Sequence, residues 1–272
     1  AQKGIMSIKD GDFEKVFEEI VGTWMDLYPT CPIVLSGMIG SRQGWLEAPY
    51  IECPAQLNQL AKKLTVINLI RKRKVFLVPG LTFKDEEGIP DVMRGEEIQI
   101  LGSSSTADQK EQLICLPGSH SKWVRVSCGN VIAFSTYMTG ETYEAVRKNT
   151  ILSKTLEPDA WSEEAFMSGV QYSKTNKNIL SQLFHVRTQI LFHQLSTDES
   201  TSFISGLLIG HELKSALQNS HGLKIYLIGD MALTKIYGDA ISEFGSTVIQ
   251  VDTDIVTAGY YALLKQIAEH VE

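Results

Sequence analysis

The chain has no run of about 18 uninterrupted apolar residues, the length a membrane-crossing helix requires, so no span is expected among its 272 residues. It opens with Ala1-Gln2-Lys3-Gly4, which carries neither a methionine nor the apolar core of a secretory leader. Cysteine is scarce. Cys31, Cys53, Cys115 and Cys128 form no CxxC pair and have no histidine at zinc spacing, so reduced structural thiols and a cytoplasmic setting are expected. Neither GxxxxGK[ST] nor GxGxxG occurs, which argues against P-loop and Rossmann nucleotide sites. Positive charge is also short: 25 Lys and Arg against 32 Asp and Glu leave a net charge of -7, so no nucleic-acid partner is expected. The run Arg71-Lys72-Arg73-Lys74 reads as a solvated turn, and the histidines form no metal-spaced cluster. No metal-ligating residues are therefore assigned.

What remains is the composition of an ordinary soluble globular protein, 43% hydrophobic with a mean hydropathy of -0.03. Residues 12–27 place Phe13, Val16, Phe17, Ile20, Val21 and Trp24 at helical spacing. The apolar run Ile33 to Leu35 enters a glycine-rich loop, Gly37 to Trp45. A second helix is expected over about 55–64, then a strand over Val75 to Val78. Pro90-Asp91 is read as the start of a helix running to about 101. This alternation suggests an α/β layer with largely parallel strands.

The second half opens on three β-like runs, 113–116, 122–126 and 131–134, joined by turn chemistry at Gly118-Ser119-His120-Ser121 and Cys128-Gly129-Asn130. Helices follow from about 139, 161, 177 and 201, then strand, helix, strand and helix. Meander, helix, strand, helix, strand, helix is the ribonuclease-H-like order. The first half reads as the same unit without its opening meander. The expected fold class is therefore α/β, with two ribonuclease-H-like domains facing across a cleft. Residues 1–110 are expected to form the first of these domains and 111–272 the second.

Six collinear blocks carry a resemblance: SGMIGSRQGWLEAPYIECPA (36–55), PDVMRGEEIQILG (90–102), LPGSHSKWVRV (116–126), FSTYMTGETYEAV (134–146), ISGLLIGHEL (204–213) and LIGDMALTKIYGDAI (227–241). Together they resemble the 2-dehydro-3-deoxygalactonokinase family of the actin-like ATPase and sugar-kinase superfamily. The resemblance implies ATP- and Mg2+-dependent phosphorylation of the C6 hydroxyl of 2-dehydro-3-deoxygalactonate, in galactonate catabolism. Kinases for other keto-deoxy or aldonic acids, and an inactive ligand-binding relative, share the same features. Family members begin with a strand carrying an Asp-Trp-Gly-Thr-like phosphate hairpin. Nothing of that kind precedes Gly4, so the first domain is expected to lack about three strands, roughly 30–40 residues.

Gly118, Ser119, His120, Ser121 and Lys122 form a small-residue turn whose amides, hydroxyls and ammonium can approach phosphate oxygens; an ordinary hairpin turn is the competing reading. Asp91 is the expected general base, with an N-cap as the alternative, and Glu96 and Glu97 read as a solvated helix face. Arg42 and Arg94 are candidates to grip the substrate carboxylate through paired hydrogen bonds. Ser41 could add a hydroxyl contact, and Trp45 either a sugar-facing ring or a core aromatic. Gly229 and Asp230 sit at a strand-to-helix turn, where related kinases bind adenosine. Thr139 reads as a helix cap, and Gly206 and Gly210 read equally as packing or ligand positions. Magnesium is expected to enter on ATP, and a homodimer is the default assembly.

Overall fold

Amphipathic spacing organises the first stretch as read from the sequence. Phe13–Leu27 form helix α1, which buries Phe17 and Met25. The computed structural model describes residues 5, 8, 11–69, 71–103, 110–154, 156, 161–220, 222–251 and 254–271. They gather into two units: one of residues 1–110, 126–133 and 254–272, the other of 111–125 and 134–253.

In the first unit, β1 (Ile33–Leu35) leads to a single-turn 3-10 helix at Gly37–Gly40, then to β2 (Tyr50–Glu52) and β3 (Ala55–Gln56). A tight 3-10 segment, Leu57–Lys63, stands where an α-helix was expected over 55–64. Leu57 and Leu60 are both buried, so the i, i+3 spacing of a 3-10 turn already satisfies the apolar pair. Next come β4 (Thr65–Asn68), β5 (Lys74–Leu77), β6 (Gly80–Lys84), β7 (Pro90–Met93) and helix α2 (Glu96–Gly102). Asp91 therefore lies within a strand, five residues before the helix it was expected to open. Pro90 disfavours helical geometry in the residue before it, and Val92 and Met93 continue the extended ladder.

The sheets are mixed rather than largely parallel. In the order β1-β5-β4, β1 runs parallel to β5 and β4 antiparallel to it. In the order β2-β6-β7, β2 is parallel to β6 and β7 antiparallel, with Thr82 opposite Val92. Short connections such as the turn at Asp85–Gly88 permit only antiparallel returns.

The second unit begins with the expected meander: β8 (Gln112–Leu116), β9 (Ser121–Ser127) and β10 (Asn130–Tyr137). Helices α3 (Thr139–Asn149), α4 (Glu163–Ser173), α5 (Ile179–Leu191) and α6 (Ser200–Ala216) follow. Then come β11 (Lys224–Leu227), α7 (Met231–Glu243) and β12 (Val248–Gln250). The strand order is β12-β11-β8-β9-β10, with β11 parallel to both β8 and β12. Every residue of β8 is buried, as a strand covered on both faces requires. The tip of the β9–β10 hairpin belongs to the first unit, where Val131 pairs with Ala55. The last helix, α8 (Ile255–Val271), also belongs there.

Two helix pairs cross with their backbones nearly touching. A Cβ on Gly206 of α6 would lie 1.9 Å from the Phe166 carbonyl of α4, and one on Gly169 would lie 2.1 Å from the Phe203 carbonyl. In the first unit, Gly102 of α2 and Gly259 of α8 make the equivalent approach, each 2.0 Å from a facing carbonyl. Gly206 is thus a packing position.

The Gly206→Ala substitution sets two effects against each other. Helix propensity favours alanine by about 1 kcal/mol, whereas overpacking costs roughly 1–3 kcal/mol or more. The added methyl meets rigid backbone, so the net expectation is a loss of stability, read as a lower urea midpoint than the parent.

Candidate functional site

A cavity of about 440 Å³ opens in the second unit. Its rim is polar and small: Gly118 and Ser119 from the β8–β9 turn, Thr139 and Gly140 from the first turn of α3, and Thr201, Ser202 and Ser205 from α6. Its walls are apolar, with Leu208 and Ile209 from α6 and Leu233, Ile236 and Tyr237 from α7. Tyr143, Arg147 and Trp161 complete it. The turn and helix α3 fit together through backbone: a Cβ on Gly140 would lie 2.6 Å from the Gly118 carbonyl. The Glu141 amide donates to the Ser119 carbonyl at 3.0 Å.

The structure divides the residues expected to contact phosphates. Gly118 and Ser119 line the cavity. His120 pairs with Glu141 beside it, both side chains about half exposed. Ser121 is fully buried and sits 2.9 Å from the Tyr237 hydroxyl, and buried Lys122 donates to Thr136 Oγ1 at 2.7 Å. The strand's alternation explains this, since successive residues of β9 face opposite sides of the sheet. Gly229 (φ 151°) turns the chain into α7, and Asp230 caps that helix by accepting from the Ala232 and Leu233 amides. Neither residue is part of the cavity lining.

Thr139 is the first residue of α3 and not its cap; its hydroxyl bonds Glu212 of α6. Glu212 is 3% exposed and accepts from Trp123 Nε1 at 2.7 Å and from the Tyr237 hydroxyl at 2.8 Å. Sequence reading passes it over. The available signal is an acidic residue inside the predominantly apolar stretch Phe203 to Leu213.

In the first unit, the glycine-rich loop and the segment Arg94–Glu97 come together. Arg94 is 9% exposed; its Nη2 donates to the Ala48 carbonyl at 2.7 Å, and its guanidinium lies 4.3 Å from the Tyr50 ring centre. Its Nη1 would lie 3.2 Å from a Cβ on Gly40. Arg94 Nε and Nη1 and Glu97 Oε1 are buried without hydrogen-bond partners. The other residues named from this region are disposed differently. Ser41 is buried and donates to the Met38 carbonyl at 2.7 Å; Arg42 is exposed and pairs with Glu47 at 3.6 Å. Trp45 packs on Phe17 with ring centres 5.4 Å apart, in the cluster of Met25, Leu69 and Val75. Half-buried Asp91 accepts from the Val92 amide at 2.7 Å.

The solvated-face reading of Glu96 and Glu97 is overturned. Glu96 accepts from the Arg94 amide at 2.9 Å, and Glu97 is fully buried, accepting from the Gly95 amide at 2.6 Å. The two carboxylates fold back on the turn before α2 and satisfy the exposed amides of its start. Burial pushes the Glu97 pKa up to about 8, against the lowering effect of backbone hydrogen bonds and Arg94.

A family model described as 2-keto-3-deoxy-galactonokinase matches residues 1–263. The chain belongs to this family. Its members are sugar kinases, as the names of similar proteins also say. A Rhizobium meliloti (strain 1021) protein assigned as the 2-dehydro-3-deoxygalactonokinase DgoK1 is 39% identical over 242 residues, 87% of this chain and 78% of that relative. The Escherichia coli (strain K12) 2-dehydro-3-deoxygalactonokinase is 30% identical over 272 residues, covering 100% of this chain and 89% of its own. The crystal structure of a Sinorhizobium meliloti protein assigned to the same activity has a TM-score of 0.83 at 37% identity. That likeness covers 93% of this chain and 84% of the other. Among the described residues, no helix is long and apolar enough to cross a membrane.

Glu97 gives this family member a measurable pH signature. An acid whose pKa rises on folding binds more protons in the folded state, so its contribution lowers stability as pH climbs from the ordinary carboxylate range to about 8. Glu97→Gln keeps an acceptor for the Gly95 amide and cannot ionise. Its melting temperature should therefore fall less than the parent's between about pH 5 and about pH 8 (values bracketing the shift). Parallel profiles would show that Glu97 does not titrate in this range.

Proposed function

We propose that the chain transfers a phosphoryl group from ATP to the C6 hydroxyl of 2-dehydro-3-deoxy-D-galactonate, a step of galactonate catabolism. The second unit holds the nucleotide and the first holds the sugar acid. The observation that carries the reading is the cavity of the second unit, whose apolar α6–α7 walls suit a nucleobase. Its glycine and hydroxyl rim suits phosphate oxygens, which bind well where backbone amides can come close. The strand order β12-β11-β8-β9-β10 supports a ribonuclease-H-like second domain. We infer the same kinship for the first, from its matching blocks.

Bound magnesium neutralises phosphate charge in such transfers. The ion would enter on ATP, bridging its phosphates and keeping several waters. Buried Arg94 leaves Nε and Nη1 without partners, cationic donors that an acidic ligand group could engage singly. Asp91 takes the hydroxyl proton. Unlike Glu97, which is sealed from solvent, Asp91 is half-buried and reachable.

The test is ADP release coupled to a reporter, with 2-dehydro-3-deoxygalactonate as acceptor. Asp91→Asn should lower kcat by about 10²–10⁴ while ADP binding persists. Arg94→Lys, which loses the planar fork, should raise the KM for the sugar acid. Near-normal turnover in Asp91→Asn would remove it from the mechanism. Absence of turnover by the parent with any keto-deoxy acid would overturn the reading.

A further inference from the structure

We propose that Glu212 is a positioning residue for the nucleotide, one buried carboxylate that ties together α3, α6 and α7, three helices that line the cavity, and anchors them to β9 beneath. The proposal rests on the reading of that cavity as the nucleotide site. Glu212 projects from α6, the helix that also supplies Thr201, Ser205 and Leu208 to the cavity. Its Oε1 accepts from Trp123 of β9, and its Oε2 from Tyr237 of α7. Thr139, at the head of α3, adds its hydroxyl. Thr139 and Tyr237 are themselves lining residues, so the carboxylate touches the cavity only through the groups it orients.

The chemistry of the partners makes the arrangement directional. An indole N–H can only donate, so Glu212 must present an acceptor to Trp123. Tyr237 donates its proton to Glu212, and its oxygen stands 2.9 Å from Ser121 Oγ. Ser121 and Trp123 are i and i+2 on β9, facing one side of the sheet. Burial pushes the Glu212 pKa up, and the donors from Thr139, Trp123, Tyr237 and Ser121 oppose that shift by favouring the ionised form. Hydrogen bonds to a charged acceptor in a dry interior are stronger and more directional than neutral ones. The network therefore fixes where Thr139 and the ring of Tyr237 stand before any ligand arrives.

The decisive variant is Glu212→Gln. Its side-chain oxygen can still accept from Trp123, and its amide can donate to the Tyr237 oxygen, so the core keeps its volume and a bonding pattern. What it loses is the charge that holds four donors. We expect the KM for ATP to rise roughly tenfold, the difference between charged and neutral hydrogen bonds. The KM for the sugar acid should stay within about twofold. The thermal shift given by magnesium-ADP should shrink in parallel. Tyr237→Phe, which deletes one hydroxyl and keeps the apolar wall, should raise the ATP KM by about threefold or more. It decides the question alone if Glu212→Gln does not fold. A lower melting temperature with an unchanged ATP KM and ADP shift would mark a purely structural network and overturn the proposal. Ser205→Phe, which fills the cavity, separates the two claims. An ADP shift that survives Ser205→Phe overturns the nucleotide reading beneath the proposal. A shift lost there but intact in Glu212→Gln overturns the positioning role alone.

Discussion

The second unit depends on how closely α6 lies against α4. Their backbones meet through Gly169 and Gly206, where no side chain could intervene. Ser200–Leu213 of α6 are almost wholly buried, which removes the usual freedom of a surface helix to shift or rotate. Thr201, Ser202, Ser205, Leu208 and Ile209 of this stretch then line one cavity, and Glu212 reaches from the same helix to β9, α3 and α7. Rigid placement of one helix becomes rigid placement of a site, since its supporting hydrogen bonds leave a fixed element and not a loop.

The first unit handles its polar groups differently. Arg94 and Glu97 are both buried, each with atoms that no partner satisfies. Such groups are costly unless a ligand or ordered water meets them, and proteins tolerate them chiefly at functional sites. The Tyr50 ring and the Ala48 carbonyl secure the guanidinium, while the Gly40 backbone leaves room beside Nη1. On the proposed reading of Arg94 as a sugar-acid contact, part of the desolvation of the ligand's partner is already met when the chain folds. This is how a preorganised site lowers the cost of binding.

Much of this architecture is legible in the order of the amino acids alone. The meander, the helices near 139, 161, 177 and 201, and the last two strands follow from apolar period and turn chemistry, which are local signals. The family blocks also mark the glycine turn at Gly118 and Ser119, which line the cavity. The rest depends on contacts between residues far apart in the chain. Adjacent glutamates at 96 and 97 look solvated until the chain folds back and buries one of them. Ser121 and Lys122 look like phosphate ligands until the register of β9 turns one toward Tyr237 and the other toward Thr136. The strand at Asp91 is hidden by a helix starting only at Glu96, behind Gly95 with φ 111°. Trp45 leaves two readings open that only packing against Phe17 can weigh.

The position of α8 has a consequence for synthesis. This helix lies more than 150 residues beyond α2 in the chain (102 to 255), yet it packs within the first unit: Gly259 abuts Ile98, Tyr260 bonds Ser36 at 2.6 Å, and Gln266 donates to the Leu57 carbonyl. Residues 111–125 and 134–253, which build the second unit, all leave the ribosome before α8 does. The order of maturation is therefore inverted relative to the order of the chain. The later-encoded unit can consolidate first, while the earlier one waits with α2 uncovered until α8 emerges. Ribosome-tethered intermediates of this enzyme family should accordingly leave the face of α2 that α8 covers open to solvent.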